Sequence, residues 1–225
     1  MLALVEERHR ESAERVRSLV ERGLHDASFF RMALLGVAPF DRDAWLDSVF
    51  GLGEVPDDGP ALPRGCVPYL PCSVDVLLRM VEQAAVRASD VFVEVGAGAG
   101  RTAALVHLLT GASVIGIEIQ PALVRASRDL LARLLVSRVS CVEGDAVALT
   151  GDVSNGTVFF LYCPFGGDRL AKVIADLQPI ARTRMIRVCC VDLPPLACSW
   201  LTREPSPRGD LSVYRSTLHD APLAS

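Results

Sequence analysis

The sequence predicts an α/β fold, a mostly parallel sheet with helices between its strands, preceded by a helical extension. From Val91 to Val95 an apolar, β-branched run enters a turn of alternating glycine and alanine, and an apolar helical stretch, Arg101 to Thr110, follows at once. That is the strand, tight turn and helix order of a βαβ unit. The alternation then repeats toward the C-terminus at the spacing of a parallel sheet. The chain has 225 residues, 50% of them apolar and 22% charged, enough for one core domain plus an extension.

Residues 2–24 carry a thin apolar stripe at Val5, Val16, Leu19, Val20 and Leu24 among Glu and Arg, which reads as one amphipathic helix. The next stretch, 27–52, is aromatic (Phe29, Phe30, Phe40, Trp45, Phe50) and reads as two more helices, with Asp41 or Asp43 as a cap. Residues 53–71 are rich in Gly, Pro and Asp and form a loop. Residues 1–65 are thus a helical extension and linker, and 66–225 the core. Ser73 can cap a helix over 74–85 ahead of the strand at 91–95. Beyond the glycine turn and its helix come a strand over 113–118 and a helix from 120 to 135, whose Pro121 suits a first turn. Strands follow near 139–143, 157–162 and 185–191, with a helix over 169–177. A final pair over 199–216 is broken by Pro205-Ser206-Pro207-Arg208-Gly209.

A net charge of −4 and a pI near 5.6 argue against a protein devoted to gripping nucleic acid. The N-terminus is charged within six residues, and no apolar run nears the roughly 18 residues of a spanning helix, so a cytoplasmic protein away from membranes is expected. Seven cysteines, an odd number with no Cys-x-x-Cys pair, read as reduced core residues. His107 lies on an apolar helix face and reads as a packing residue. His9, His25 and His219 form no metal set with one another. No metal site is expected.

The chemistry gathers at strand ends. Glu94 sits in the strand just before Gly96-Ala97-Gly98-Ala99-Gly100. Glycines let backbone approach a ligand, and the helix behind them offers free N–H groups and a positive dipole end. A dinucleotide fingerprint, Gly-x-Gly-x-x-Gly, needs a small residue where Arg101 stands, and Glu94 would repel a pyrophosphate. An acid in the strand suits a ligand bearing an amino group better. Glu118 ends the next strand about 20 residues on, where an acid can accept both ribose hydroxyls. A further acid, Asp145, lies in the turn Gly144-Asp145-Ala146, and a buried strand runs into Tyr162-Cys163-Pro164-Phe165.

These segments, in this order, resemble the motifs of class I S-adenosylmethionine-dependent methyltransferases. Glu94 to Gly100 resembles the family's first motif, Gly144-Asp145-Ala146 its adenine-edge motif, and Tyr162 to Phe165 its substrate-facing motif. The resemblance covers about residues 69–217 and implies a doubly wound, seven-stranded Rossmann-like sheet, helices on both faces, closed by a hairpin with one antiparallel strand. It implies S-adenosylmethionine as cofactor, held by Tyr69, Glu94, Gly96, Gly98, Gly100, Thr102, Glu118, Ile119, Asp145 and Ala146. Tyr162, Cys163 and Phe165 would form the catalytic side. Pro68-Tyr69-Leu70-Pro71-Cys72-Ser73 is similar to the segment that closes over the donor in Dot1-like and bacterial lysine methyltransferases, with Cys72 and Ser73 as departures from the pattern. The acceptor implied is a protein or amine side chain near Tyr69 and the Tyr162–Phe165 turn. Cys163, a poor acceptor of hydrogen bonds where the family's amine enzymes carry Asn or Asp, leaves open a hydroxyl or carbon of a small metabolite. Two other classes also stay open, an NAD(P)-binding enzyme and a non-catalytic relative of the fold. The helical extension either forms a lid over donor and acceptor or covers one end of the sheet. The oligomeric state is not legible.

Overall fold

The computed structural model describes residues 2–54, 56–57, 59, 62–206 and 208–218, with side chains from residue 9 onward. Val5 of the N-terminal stripe, Pro207 and His219 therefore lie outside the described residues and side chains.

The extension folds as α1 (Leu2–Val20), α2 (Ala27–Leu35) and α3 (Arg42–Phe50), and the core opens with α4 (Val74–Gln83). There follow β1 (Val91–Val95), α5 (Arg101–Thr110), β2 (Ser113–Glu118), α6 (Pro121–Arg133), β3 (Val139–Glu143) and α7 (Ala146–Leu149). The chain closes with β4 (Val158–Tyr162), α8 (Gly167–Thr183), β5 (Arg187–Val191), β6 (Leu201–Arg203) and β7 (Leu211–Ser216). One seven-stranded sheet results, in the order β3-β2-β1-β4-β5-β7-β6. Every neighbouring pair from β3 through β5 is parallel, and β7 runs antiparallel to both β5 and β6. The closing hairpin and the doubly wound architecture match the expectation.

The central strands are apolar on both sides because both faces are covered. Phe92 and Phe160 stack at a centroid distance of 5.8 Å on the face that α4 and α5 cover, with Leu77, Met80, Leu105 and Val124. Val93, Phe159 and Leu161 point the other way, into the layer that α8 supplies with Leu170, Val173 and Leu177. The N-terminal helices add Val16, Phe30, Leu34, Trp45 and Phe50 to the first of these layers, so the extension and that face of the sheet share one core.

Local signals fixed most helix ends. Ser73 caps α4 through the Val76 N–H (3.4 Å), and Asp26, not foreseen, caps α2 through the Phe29 N–H (2.7 Å). Neither proposed cap of α3 acts as one. Asp41 is at the N-cap position without a side-chain hydrogen bond, and Asp43 instead accepts the N–H of Val74 at 3.0 Å. Helix α8 runs six residues past the expected end at Leu177, carrying Pro179 in its interior. Its stripe continues through Ile180 and Ala181, both buried, and that burial offsets the lost backbone hydrogen bond. His107 packs as expected, its Nδ1 within 2.8 Å of the Ala112 carbonyl.

Candidate active site

The strand order reverses between β1 and β4, so the chains leaving their carboxyl ends diverge and open a crevice there. A cavity occupies it, lined by residues at the ends of β1, β2 and β4. Of the candidate donor-binding residues, Tyr69, Glu94, Gly96, Gly98, Thr102, Glu118, Ile119, Asp145 and Ala146 line this cavity, as do Tyr162, Cys163 and Phe165. Gly100 does not. Its φ of +80° ends the turn, and a Cβ there would lie 2.3 Å from the Ser127 hydroxyl, so its smallness serves the approach of α5 to α6 rather than the ligand.

Glu94 is 4% exposed, and its Oε2 has no hydrogen-bond partner among the described residues. Burial pushes its carboxyl up to about 8, helped by the nearby Glu118 and opposed by hydrogen bonds from Thr102 and the Ala103 backbone. An unpartnered buried carboxylate oxygen facing a cavity is the complement of a cationic amino group. At the tip of β2, the Glu118 carboxylate is fixed by two backbone donors, Gly98 N–H to Oε2 and Gln120 N–H to Oε1, each at 2.8 Å. Its remaining lone pairs can accept a pair of hydroxyls. Asp145 caps α7 through the Val147 N–H and is paired with Arg169 at 2.6 Å. Burial alone would raise its pKa, but the Arg169 hydrogen bond and the Val147 N–H outweigh it and hold the carboxyl below its ordinary value. Arg169 also lies 5.3 Å over the Phe165 ring, joining the β3 and β4 ends of the site.

The segment ahead of α4 covers the cavity, both most of the Pro68–Ser73 run expected near the donor and part of the stretch before it that reads as a linker. Leu62 and the run from Cys66 to Cys72 line it, Gly59 donates to Gln120 Oε1 (2.8 Å), and Val67 donates to the Pro164 carbonyl (3.1 Å). Cys66 and Phe165 form an isolated antiparallel bridge. This strap lays the Tyr69 ring on the glycine turn so closely that a Cβ on Gly98 would stand 2.1 Å from it. Only glycine allows that approach, and the φ of +53° adds a second reason. Nothing local in the sequence marks these contacts.

Arg101 was also missed as a site residue. It lines the cavity at 4% exposure, and its guanidinium binds Asp43 and Asp47 of α3 at 2.7 and 2.6 Å and the Cys72 carbonyl at 2.8 Å.

On the acceptor side, burial pushes Tyr162 up to about 12, with Cys72, Cys163 and Asp192 adding to it, and Tyr69 is likewise pushed up to about 12, chiefly by burial. Burial and Asp192 also raise the Cys163 thiol. These groups stay protonated near neutral pH. They can shape the site and donate hydrogen bonds, but none supplies a ready base. Cys163 follows β4 with a φ of +32°, and the equivalent residue after β5, the exposed Asp192, has a φ of +52°. Phe165 is buried at 4% exposure and forms part of the core beside the cavity. Among the described residues no group of His, Cys, Asp and Glu could hold a metal ion.

The glycine cradle, the orphaned Glu94 oxygen and the remaining lone pairs of Glu118 fit S-adenosylmethionine, and with the strand order they define the class I S-adenosylmethionine-dependent methyltransferase fold. Residues 70–150 match the family model of protein-L-isoaspartate(D-aspartate) O-methyltransferase, the half of the sheet that carries the donor motifs. An RNA methyltransferase from Salinibacter ruber, solved with S-adenosyl-L-homocysteine, is 28% identical, with 69% of this chain and 98% of that one covered at a TM-score of 0.51. The candidate methyltransferase yhhF of Escherichia coli (18% identity, 72% and 88% covered, TM-score 0.52) shares the fold. So does MtNAS, solved with S-adenosylmethionine (19% identity, 64% and 60% covered, TM-score 0.52). No curated protein matches the sequence. The chain is an S-adenosylmethionine-dependent methyltransferase.

Proposed function

We propose that the enzyme transfers the methyl group to a protein or amine side chain that enters between Tyr69 and the Tyr162–Phe165 turn. The observation that carries this reading is the single cavity that joins the donor-side acids to that turn. Bound S-adenosylmethionine supplies a methyl carbon already activated by a sulfonium leaving group, so alignment and desolvation are the protein's main tasks. Glu94 would take the amino group, Glu118 the ribose hydroxyls and Asp145 the adenine edge. Tyr69, held by the strap over Gly98, would close the amino-acid end of the donor.

An amine must reach the methyl carbon uncharged. Cys163 is a poor acceptor of its hydrogen bonds, but Asp192, at the next strand end, carries a charge felt by both Tyr162 and Cys163 and lies exposed. Its carboxylate can draw a cationic side chain toward this edge of the sheet. The strap ahead of α4 supports the likeness to lysine methyltransferases of the Dot1 type. The family model's description, a protein O-methyltransferase, favours a protein acceptor independently and would make the acceptor atom a carboxylate oxygen. A second reading, a hydroxyl or carbon of a small metabolite, is favoured by the apolar strap residues Leu62, Val67 and Leu70 around the cavity. A cytoplasmic setting is supported by seven cysteines that are all free thiols, and no helix among the described residues is long and apolar enough to cross a membrane.

The test is incubation of the purified enzyme with methyl-labelled donor and cell extract, followed by fractionation. Label in a protease-sensitive, nuclease-resistant fraction is expected. Base-labile label there would indicate a carboxylate ester, base-stable label an amine. Label in the small-molecule fraction would favour the second reading, and label released by nuclease would overturn both.

A further inference from the structure

Arg101 opens α5, where its positive charge faces the positive end of the helix dipole, and it is almost fully buried. Both circumstances disfavour a cation. They are offset by contacts that come from distant parts of the chain. Nε donates to Asp47 Oδ1 (2.6 Å), Nη1 to the Cys72 carbonyl (2.8 Å) and Nη2 to Asp43 Oδ1 (2.7 Å). Asp43 Oδ1 also receives the N–H of Val74, at the start of α4. Burial would lower the guanidinium's pKa, and the bonds to Asp47 and Asp43 more than offset it. One cation thus joins the extension, the end of the strap and the helix that follows the glycine turn.

Helix α3 contributes no residue to the cavity lining, whereas Arg101, Cys72 and Tyr69 all do. We propose that Arg101 is a positioning residue through which α3 of the N-terminal extension holds the strap and the glycine turn in the arrangement that binds the methyl donor. The extension is then a working part of the donor site rather than a cover for one end of the sheet. Asp47 fixes the guanidinium. The guanidinium fixes the Cys72 carbonyl, and Tyr69, three residues earlier, is thereby kept on Gly98. By reciprocity, donor binding must tighten α3.

The two carboxylates suit a test because they are half-exposed, at 46% and 45%, so losing one charge should leave the fold standing. A control is at hand in Arg42 and Asp75, which pair at 2.7 Å between α3 and α4, with neither residue lining the cavity. Calorimetric titration with S-adenosylhomocysteine should show Asp47→Asn binding about tenfold more weakly than wild type, within the usual range of coupling between sites, and Asp75→Asn binding like wild type. Equal losses in both variants would mean that α3 merely stabilises the fold, and an unchanged dissociation constant in a folded Asp47→Asn protein would also overturn the proposal. If Asp47→Asn does not fold, hydrogen exchange on the wild-type protein decides. S-adenosylhomocysteine should slow exchange across Arg42–Phe50 as well as at the glycine turn, and protection confined to the turn would refute the coupling.

Discussion

Glu94 shows how one side chain can be costly to the empty protein and useful to the loaded one. In the unfolded chain a glutamate loses its proton near pH 4.3, whereas burial at the end of β1 holds this one protonated up to about 8. Between those values the folded state binds more protons than the unfolded state, so this residue's contribution to stability falls as pH rises through the window. A cationic amino group in the cavity reverses the balance by favouring the charged form. Glu94→Gln should therefore flatten the decline of the free enzyme's melting temperature between about pH 5 and 8, raise it at pH 8, and weaken donor binding. Thermal scans of both proteins across that range check this, and parallel curves would mean that Glu94 is ionised throughout. The acid before the glycines was legible because the pattern is local. Its missing partner was not, since that depends on what α5 and the strap leave uncovered.

At the scale of elements, the turn after β1 and the strap before α4 act as one device. Gly98→Ala would place a methyl group 2.1 Å from the Tyr69 ring at a φ of +53°. The ring must move, so donor affinity should fall, and Tyr69→Ala in the same chain should return part of the lost stability, a non-additivity that a double-mutant cycle reads directly. Strict additivity would show that the two do not meet. Across the cavity, Tyr162→Ala should leave donor affinity within a few-fold of wild type and cut methyl transfer by one to two orders of magnitude, about 1.4–2.8 kcal/mol of positioning. Equal loss of donor affinity and turnover would place Tyr162 on the donor side instead. Phe165 is a poorer probe because it is buried, so its truncation to Ala costs on the order of 3–5 kcal/mol of fold stability; Phe165→Leu is the gentler change. Tyr69 and the Pro68–Ser73 run were expected beside the donor, but the contacts that hold the strap there escaped the sequence reading for a physical reason. Glycine and proline mark a loop, but its course is set by Val67 donating to Pro164 and Gly59 donating to Gln120, contacts made across long stretches of chain. Arg101 escaped likewise: its partners in α3 lie more than 50 residues away, and locally it spoke only against a dinucleotide fingerprint.

For the whole molecule, the sheet order explains why motifs spread from Tyr69 to Phe165 arrive in one cavity: parallel strands place all their carboxyl ends on one edge, and the reversal between β1 and β4 opens it. That much could be read from alternation and strand-end acids. The passage of α8 through Pro179 and the fusion of the N-terminal helices with one face of the sheet could not, because both depend on burial that only the assembled layers provide. The central claim is that this edge binds S-adenosylmethionine through Glu118. Its most direct test is calorimetric titration of S-adenosylhomocysteine and NAD into the wild-type enzyme and Glu118→Ala. The account predicts a roughly micromolar dissociation constant for S-adenosylhomocysteine in the wild type, at least a tenfold weakening in the variant from the loss of charged hydrogen bonds worth about 1.5–3 kcal/mol each, and no heat with NAD. Binding of NAD in place of S-adenosylhomocysteine, or S-adenosylhomocysteine bound equally well without the Glu118 carboxylate, would contradict it.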